Sequence, residues 1–270
     1  MAQRQGYALV TGASSGIGEQ FARQLAARGW PLVLVARSGD KLAELRDQLM
    51  AAHAIDVRSI ALDLSEAGAP QNLFEQTRGA GLAVSLLVNN AGFGAFGEFS
   101  GLELIRLRQM VDLNVAALVE LAHLYLQPML GLPEQERRDG GIINIASVAG
   151  FVPLPYSAVY AATKAFVVSF SRSIAHETRY RGVHVMVVNP GTTETNFFTA
   201  AGGNPFGRQP GMQTAAQVVR ESLRAFDRGR DSITTGALNR LSVVAAGLLP
   251  SHGIAAVAAR AMRKRIGNER

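Results

Sequence analysis

The chain has 270 residues, 48% of them hydrophobic and none of them cysteine, which suits one α/β domain with a large buried core. The absence of thiols excludes disulfides, thiolate metal sites and cysteine nucleophiles, and fits a reducing, cytoplasmic setting; residues 1–6 lead into no apolar run long enough for a secretory signal. The net charge of +6 comes from scattered arginines with few aromatics among them, which points away from a nucleic-acid partner and towards a basic enzyme.

In chain order, a strand is expected at residues 7–11, and helical apolar spacing begins at 17–27. Between them stands a glycine turn, Gly12 to Gly18, with Ser14, Ser15, Gly16 and Ile17 inside it. A backbone free of side chains there turns tightly and approaches a pyrophosphate, while the helix N-terminus offers free N–H groups to the phosphates. A nucleoside-triphosphate loop is disfavoured, because no lysine follows the last glycine.

The second strand, 31–36, ends in Ala36 and is followed by Arg37 and Ser38. An acidic residue at that end would accept from the ribose hydroxyls of NAD; alanine followed by arginine favours NADP, whose 2′-phosphate Arg37 would pair. A helix at 41–52, a third strand at 56–61 and a helix at 70–77 come next.

A fourth strand is expected at 86–89, and a long helix at 102–130 that Pro128 ends or kinks. The fifth strand, 141–146, delivers Ser147 at its end. The helix at 157–180 carries Tyr160 and Lys164 on one face, where the ammonium would favour the phenolate and lower the tyrosine pKa. Such a pair decorates many helices by chance. Here the chain has only two other lysines, Lys41 and Lys264, and Ser147 stands ready to bond the same oxygen.

A sixth strand at 184–189 runs into residues 191–212, a loop rich in glycine, proline and polar residues that reads as a lid. A helix at 214–227 and a seventh strand at 231–234 complete the alternation. The expected fold is α/β: a Rossmann-type doubly wound parallel sheet of six to seven strands flanked by helices, with the dinucleotide-binding and catalytic part in residues 1–236 and a helical extension in 237–270 packed on the same domain.

Together these residues resemble the short-chain dehydrogenase/reductase family, from about Gly6 to the 220s. The family's TGxxxGxG is met by Thr11, Gly12, Gly16 and Gly18, its NNAG by Asn89, Asn90, Ala91 and Gly92, and its YxxxK by Tyr160 and Lys164; Asp63 before Leu64, Asn114, Ser147, and Pro190-Gly191 with Thr195 follow the family's order. The resemblance implies hydride transfer between NADP(H) and a carbonyl or secondary alcohol, with Tyr160 as general acid/base and Ser147 orienting the carbonyl. Lys164 would also hold the nicotinamide ribose, and Asn114 would bind a water linking the lysine to solvent. Asp63 would contact the adenine, Asn90 would line the cofactor floor, and Thr195 with the backbone near Thr193 would meet the carboxamide. Leu64, Ala91, Gly92, Pro190 and Gly191 complete the implied cofactor set; the family often has valine at Thr193. A homodimer or homotetramer through the two long helices is also implied.

Phe93, Phe96, Phe151, Phe197, Phe198 and Phe206 suggest an apolar small-molecule substrate. Residues 238–261 contain no apolar run long enough for a membrane span, and read as two short helices covering the pocket or as a dimer contact, in preference to an interfacial patch beside Arg260, Arg263, Lys264 and Arg265. Two other readings compete: a redox sensor that binds the dinucleotide without chemistry, and a membrane-peripheral scaffold. A hydrolase built on Ser147 is disfavoured because no glycine-flanked nucleophile elbow surrounds it, and no histidine pair has metal-ligand spacing.

Overall fold

The computed structural model describes residues 6–195, 197, 201–202, 209–248 and 251–265. The first half alternates β1 (Tyr7–Thr11), α1 (Gly16–Ala26), β2 (Leu32–Ala36), α2 (Gly39–Ala52), β3 (Val57–Ala61), α3 (Ala69–Gly79) and β4 (Val84–Asn89). The second half contains α4 (Leu104–Val111), a π-helical segment (Asp112–Ala117), α5 (Leu118–Gly131), α6 (Glu134–Asp139), β5 (Gly141–Ile145), α7 (Ala158–Thr178) and β6 (His184–Asn189). After two short strands, β7 (Thr193–Glu194) and β8 (Gln213–Thr214), come α8 (Ala215–Phe226), β9 (Ser232–Thr234), α9 (Ala237–Leu248) and α10 (Ser251–Arg265).

Seven strands form one parallel sheet in the order β3-β2-β1-β4-β5-β6-β9, so the fold is the Rossmann-like, single-domain architecture expected, with Ser232–Thr234 as the seventh strand. Successive side chains of a strand point to opposite faces, and here both faces are apolar because helices cover both. Ala8, Val10, Leu32, Leu34, Leu86 and Val88 pack with Phe21 and Leu25 of α1 and Leu223 of α8. Their neighbours Leu9, Val33, Val35 and Leu87 pack with Leu73 of α3 and Leu121, Tyr125 and Met129 of α5. Full burial of each such leucine stabilises the fold by about 1.5–3 kcal/mol. Thr214 starts α8 with a reciprocal capping box: its hydroxyl accepts from the N–H of Gln217, whose side chain accepts from the N–H of Thr214.

Three elements depart from the sequence reading. The long helix is not uniform: it opens with a 3₁₀ turn at Phe99–Gly101, starts as α4 at Leu104 and widens to π geometry around Asn114. It also passes Pro128 and ends at Gly131: the proline withholds one backbone N–H, and the helix stops three residues later instead of at the proline. By length and composition Leu104–Gly131 would suffice to cross a bilayer, yet its buried face, including Met110, Leu118 and Leu121, packs in the core, with α5 against β4 and β5. Finally, the two ends of the 191–212 loop are joined by the parallel pairing of β7 with β8. The predicted pocket residues Phe198 and Phe206, and the side chains of Lys264 and Arg265, lie outside the described residues.

The strand order reverses between β1 and β4, and ligands of such sheets sit beyond the carboxyl ends of the strands at that switch. The glycine turn, Asn90, Ser147 and Gly191 all leave the sheet at this edge.

Candidate active site

Thr11 locks the first strand end to the fourth. Its hydroxyl accepts from the N–H groups of Asn90 and Ala91, both at 2.9 Å, and donates to Val88 O at 3.3 Å. The Asn90 amide in turn donates to Thr11 O and Gly12 O, so Asn90 supports the glycine turn from below. The turn has no room for side chains. A Cβ on Gly18 would overlap Gly12 O, and one on Gly12, where φ is +65°, would lie 2.8 Å from the Asn90 amide nitrogen. Ser15 caps α1 without a side-chain hydrogen bond, and Ile17 packs on the core, which leaves the backbone N–H groups of this turn as its binding face.

At the ends of β2 and β3, the guanidinium of Arg37 is 75% exposed and stands 3.7 Å from the Asp63 carboxylate. Burial would raise the Asp63 pKa, but hydrogen bonds from Ser65 and the charge of Arg37 outweigh it and hold the carboxyl below its usual value. The Leu64 side chain is buried in the core, so only its backbone faces a ligand. At the other end of the crevice, Thr195 lies over the glycine turn, and a Cβ on Gly16 would come 3.2 Å from its methyl group. Thr193 is buried and its hydroxyl donates to Gly191 O at 3.0 Å.

Tyr160, Lys164 and Ser147 converge as the spacing implied. Ser147 begins the 3₁₀ turn Val148–Phe151, and its Oγ accepts from Ala149 N–H at 3.1 Å. Gly150 lets this turn lie against α7, since a Cβ there would meet the Lys164 carbonyl at 2.8 Å. Lys164 is buried and its Nζ donates to Ile145 O at 2.8 Å, with the Tyr160 ring centroid 5.9 Å away.

The expected lowering of the tyrosine pKa does not hold in this geometry. Burial pushes the Tyr160 phenol up to about 12, against a smaller opposing effect of its hydrogen bond with Ser147. Burial likewise pulls Lys164 down to about 8. Desolvation dominates both groups. The Tyr160 phenol is therefore neutral and keeps its proton at physiological pH.

Asn114 sits in the π segment, a geometry often found where a helix serves a site. Its Oδ1 accepts from Phe93 N–H at 3.1 Å, and its Nδ2 donates to Phe93 O at 3.0 Å and to Thr163 Oγ1 at 3.1 Å. Thr163 in turn donates to Tyr160 O at 2.7 Å. Asn114 thus braces the loop after β4 against the helix that carries the tyrosine.

Three residues of this site carry no sequence motif. Phe197 stacks obliquely on Tyr160 with centroids 5.3 Å apart, and Gly94 leaves room for it. Tyr156 adopts φ of +65°, a conformation rare for a non-glycine residue, and its carbonyl accepts from Gly97 N–H at 2.9 Å. Asn239 of α9 fills the space beside Gly191, and its amide donates to Gly211 O and Thr235 O. Among the described residues, no group of three or more histidines, aspartates or glutamates is placed to hold a metal.

A doubly wound sheet, a glycine turn at its first strand and a Ser–Tyr–Lys cluster at the same carboxyl edge define a dinucleotide-fold oxidoreductase. The family model for short chain dehydrogenases matches residues 6–204, and the chain belongs to that family. It is 33% identical over 191 residues to the very-long-chain 3-oxoacyl-CoA reductase of Homo sapiens, across 68% of this chain and 58% of that protein. The chain thus spans less than two thirds of that relative's length. A short-chain dehydrogenase from Sphingobium yanoikuyae, solved in complex with NADPH, is 30% identical, with a TM-score of 0.78 over 90% of this chain and 94% of that one. A short-chain dehydrogenase/reductase from Burkholderia phymatum, solved in complex with NAD, is 28% identical, with a TM-score of 0.78 over 90% and 94%.

Proposed function

We propose that this oxidoreductase is an NADP(H)-dependent carbonyl reductase in which Tyr160 is the general acid. The observation that carries the reading is the convergence of Ser147, Tyr160 and Lys164 at the sheet edge that also carries the glycine turn. The residues present fit a dinucleotide. The turn excludes side chains where a pyrophosphate would lie, and Arg37 stands exposed where a 2′-phosphate would lie. When bound, the nicotinamide supplies or accepts the hydride.

The chain's own residues manage the oxygen and its proton. Tyr160, neutral at physiological pH, hands its proton to the oxygen as negative charge develops there. Ser147 Oγ steadies the same oxygen. Lys164 titrates near 8 and so can exchange a proton close to neutrality. Asn114 uses one Oδ1 lone pair on Phe93, and the other remains for a water beside Lys164. Phe197, over Tyr160, keeps bulk water from the reacting atoms.

The preference for NADP rests on Arg37, since the related structures include complexes with NADPH and with NAD. Phe197 beside Tyr160, with Phe93, Leu102 and Val159 nearby, supports an apolar carbonyl substrate. The relative named for 3-oxoacyl reduction makes ketones on an acyl chain the class to try first. The apolar side chains of Leu104, Ile105 and Phe166, exposed on α4 and α7, support a homodimer or homotetramer, and a cytoplasmic setting accords with the absence of cysteine.

The test is NADPH oxidation over a panel of aldehydes and ketones, run beside Tyr160→Phe. Turnover that the variant lacks, with NADPH binding kept, is the expected result. NADPH binding with no turnover on any carbonyl would replace this reading by a dinucleotide-binding sensor.

A further inference from the structure

The C-terminal helices leave an apolar face uncovered. On α9, Asn239, Val243 and Ala246 turn inwards, and the helix packs on the turn at Val148–Phe151. On the opposite side, Leu238, Leu241, Val244 and Leu248 form one stripe at helical spacing, 55%, 66%, 62% and 82% exposed. Val257 of α10 adds a fifth exposed aliphatic side chain.

The charge on the stripe's own helix and on the segment that follows it has one sign. Between Asp231 and Glu269 the sequence has no acidic residue, but it has Arg240, Arg260, Arg263, Lys264 and Arg265. Arg240, Arg260 and Arg263 are exposed. The stripe is too short to cross a bilayer, since the 12 residues of α9 reach only about 18 Å against a hydrocarbon core of about 30 Å. An exposed aliphatic stripe flanked by cations is the chemistry of a helix lying in the plane of an anionic lipid surface. A second copy of the chain fits less well. Two-fold pairing of this face would bring two copies of the arginine-rich segment into one interface, with no acid in the segment to neutralise them.

We propose that α9 and α10 dock the protein on an anionic bilayer, with Leu238, Leu241, Val244 and Leu248 in the headgroup boundary and the arginines at the lipid phosphates. Because α9 rests on the turn that follows Ser147, docking holds the active-site edge of the sheet close to the membrane.

The test is flotation of the full chain with vesicles of phosphatidylcholine alone, or of equal parts phosphatidylcholine and phosphatidylglycerol, at low and high salt. Binding to the mixed vesicles is expected, with at least a tenfold weaker partition to the neutral ones and to both at high salt. Leu241→Asp combined with Val244→Asp should abolish flotation, and Arg260→Glu combined with Arg263→Glu should abolish the anionic preference. These positions are exposed, and unchanged thermal melts will show that the variants fold. Failure of the wild type to float with the mixed vesicles overturns the proposal, as does unchanged flotation of the double aspartate variant. So does a double aspartate variant that turns an oligomer into a monomer in sedimentation velocity while flotation persists.

Discussion

Asn239 occupies the space that a side chain on Gly191 would need, so the C-terminal extension and the strand end after β6 fit only because residue 191 is glycine. The same amide donates to Gly211 O at 3.2 Å and Thr235 O at 2.9 Å, tying the far end of the 191–212 loop and the residue after β9 to α9. Asn239→Ala is expected to cost about 1–2 kcal/mol in urea unfolding, since two backbone carbonyls lose a donor. Gly191→Ala should cost about 1–3 kcal/mol through overpacking. The double variant should be more stable than the sum predicts, because truncating Asn239 makes room for the new methyl. Additive losses would show that the two residues do not share that space.

None of this was legible in the sequence. Asn239 belongs to no motif, and its partners are remote in sequence: Gly211 is 28 residues away, and Gly191, at the β6 end, is farther still. The sheet was legible, because strands covered on both faces are continuous apolar runs, and their ends moved by only a residue or two. The Ser–Tyr–Lys cluster was legible too, since Tyr160 and Lys164 share one helical face. Their pKa directions were not: spacing reveals that a lysine is near, but only packing reveals that it is buried and committed to Ile145 O. The π segment was hidden for a related reason, because residues 111–118 keep helical apolar spacing while the bracing of Asn114 against Phe93 is tertiary.

Gly92 sets the distance between Asn114 and Lys164. A Cβ there would stand 2.8 Å from Asn114 Oδ1 and 3.5 Å from Lys164 Nζ. Gly92→Ala is therefore expected to lower kcat by about tenfold to a hundredfold, an activation cost of roughly 1.4–2.7 kcal/mol, through displacement of both groups. The cofactor dissociation constant should change far less, and steady-state kinetics beside a fluorescence titration separates the two. A variant with normal kcat would mean that neither group is sensitive to its position.

Arg37 is exposed and its contact with Asp63 is a loose 3.7 Å, so replacing it costs the fold little. Arg37→Ala is expected to weaken NADPH binding by about tenfold or more, the value of a charge-assisted phosphate contact, with NADH binding nearly unchanged. Isothermal titration with both nucleotides decides it. Equal loss for the two would remove the basis for the NADP preference.

The buried pair also predicts how stability follows pH. Lys164 titrates near 8 in the folded protein against 10.5 when solvated, so below pH 8 both states are protonated and the folded one bears the full cost of a buried ammonium. From pH 8 to 10.5 the unfolded chain binds the additional proton, and stability rises with pH. Tyr160 acts in the opposite sense: with its phenol at about 12 against 10.0 when solvated, the unfolded chain ionises first above pH 10 and stability falls from there. Relative to Lys164→Met, the wild type should gain roughly 3 kcal/mol of unfolding free energy between these limits, a shift of about two and a half pKa units. Relative to Tyr160→Phe, it should lose stability above pH 10. Urea unfolding across this range measures both differences. Parallel curves for wild type and Lys164→Met would mean that the ammonium is solvated, and the proton exchange near neutrality assigned to Lys164 would then have no basis.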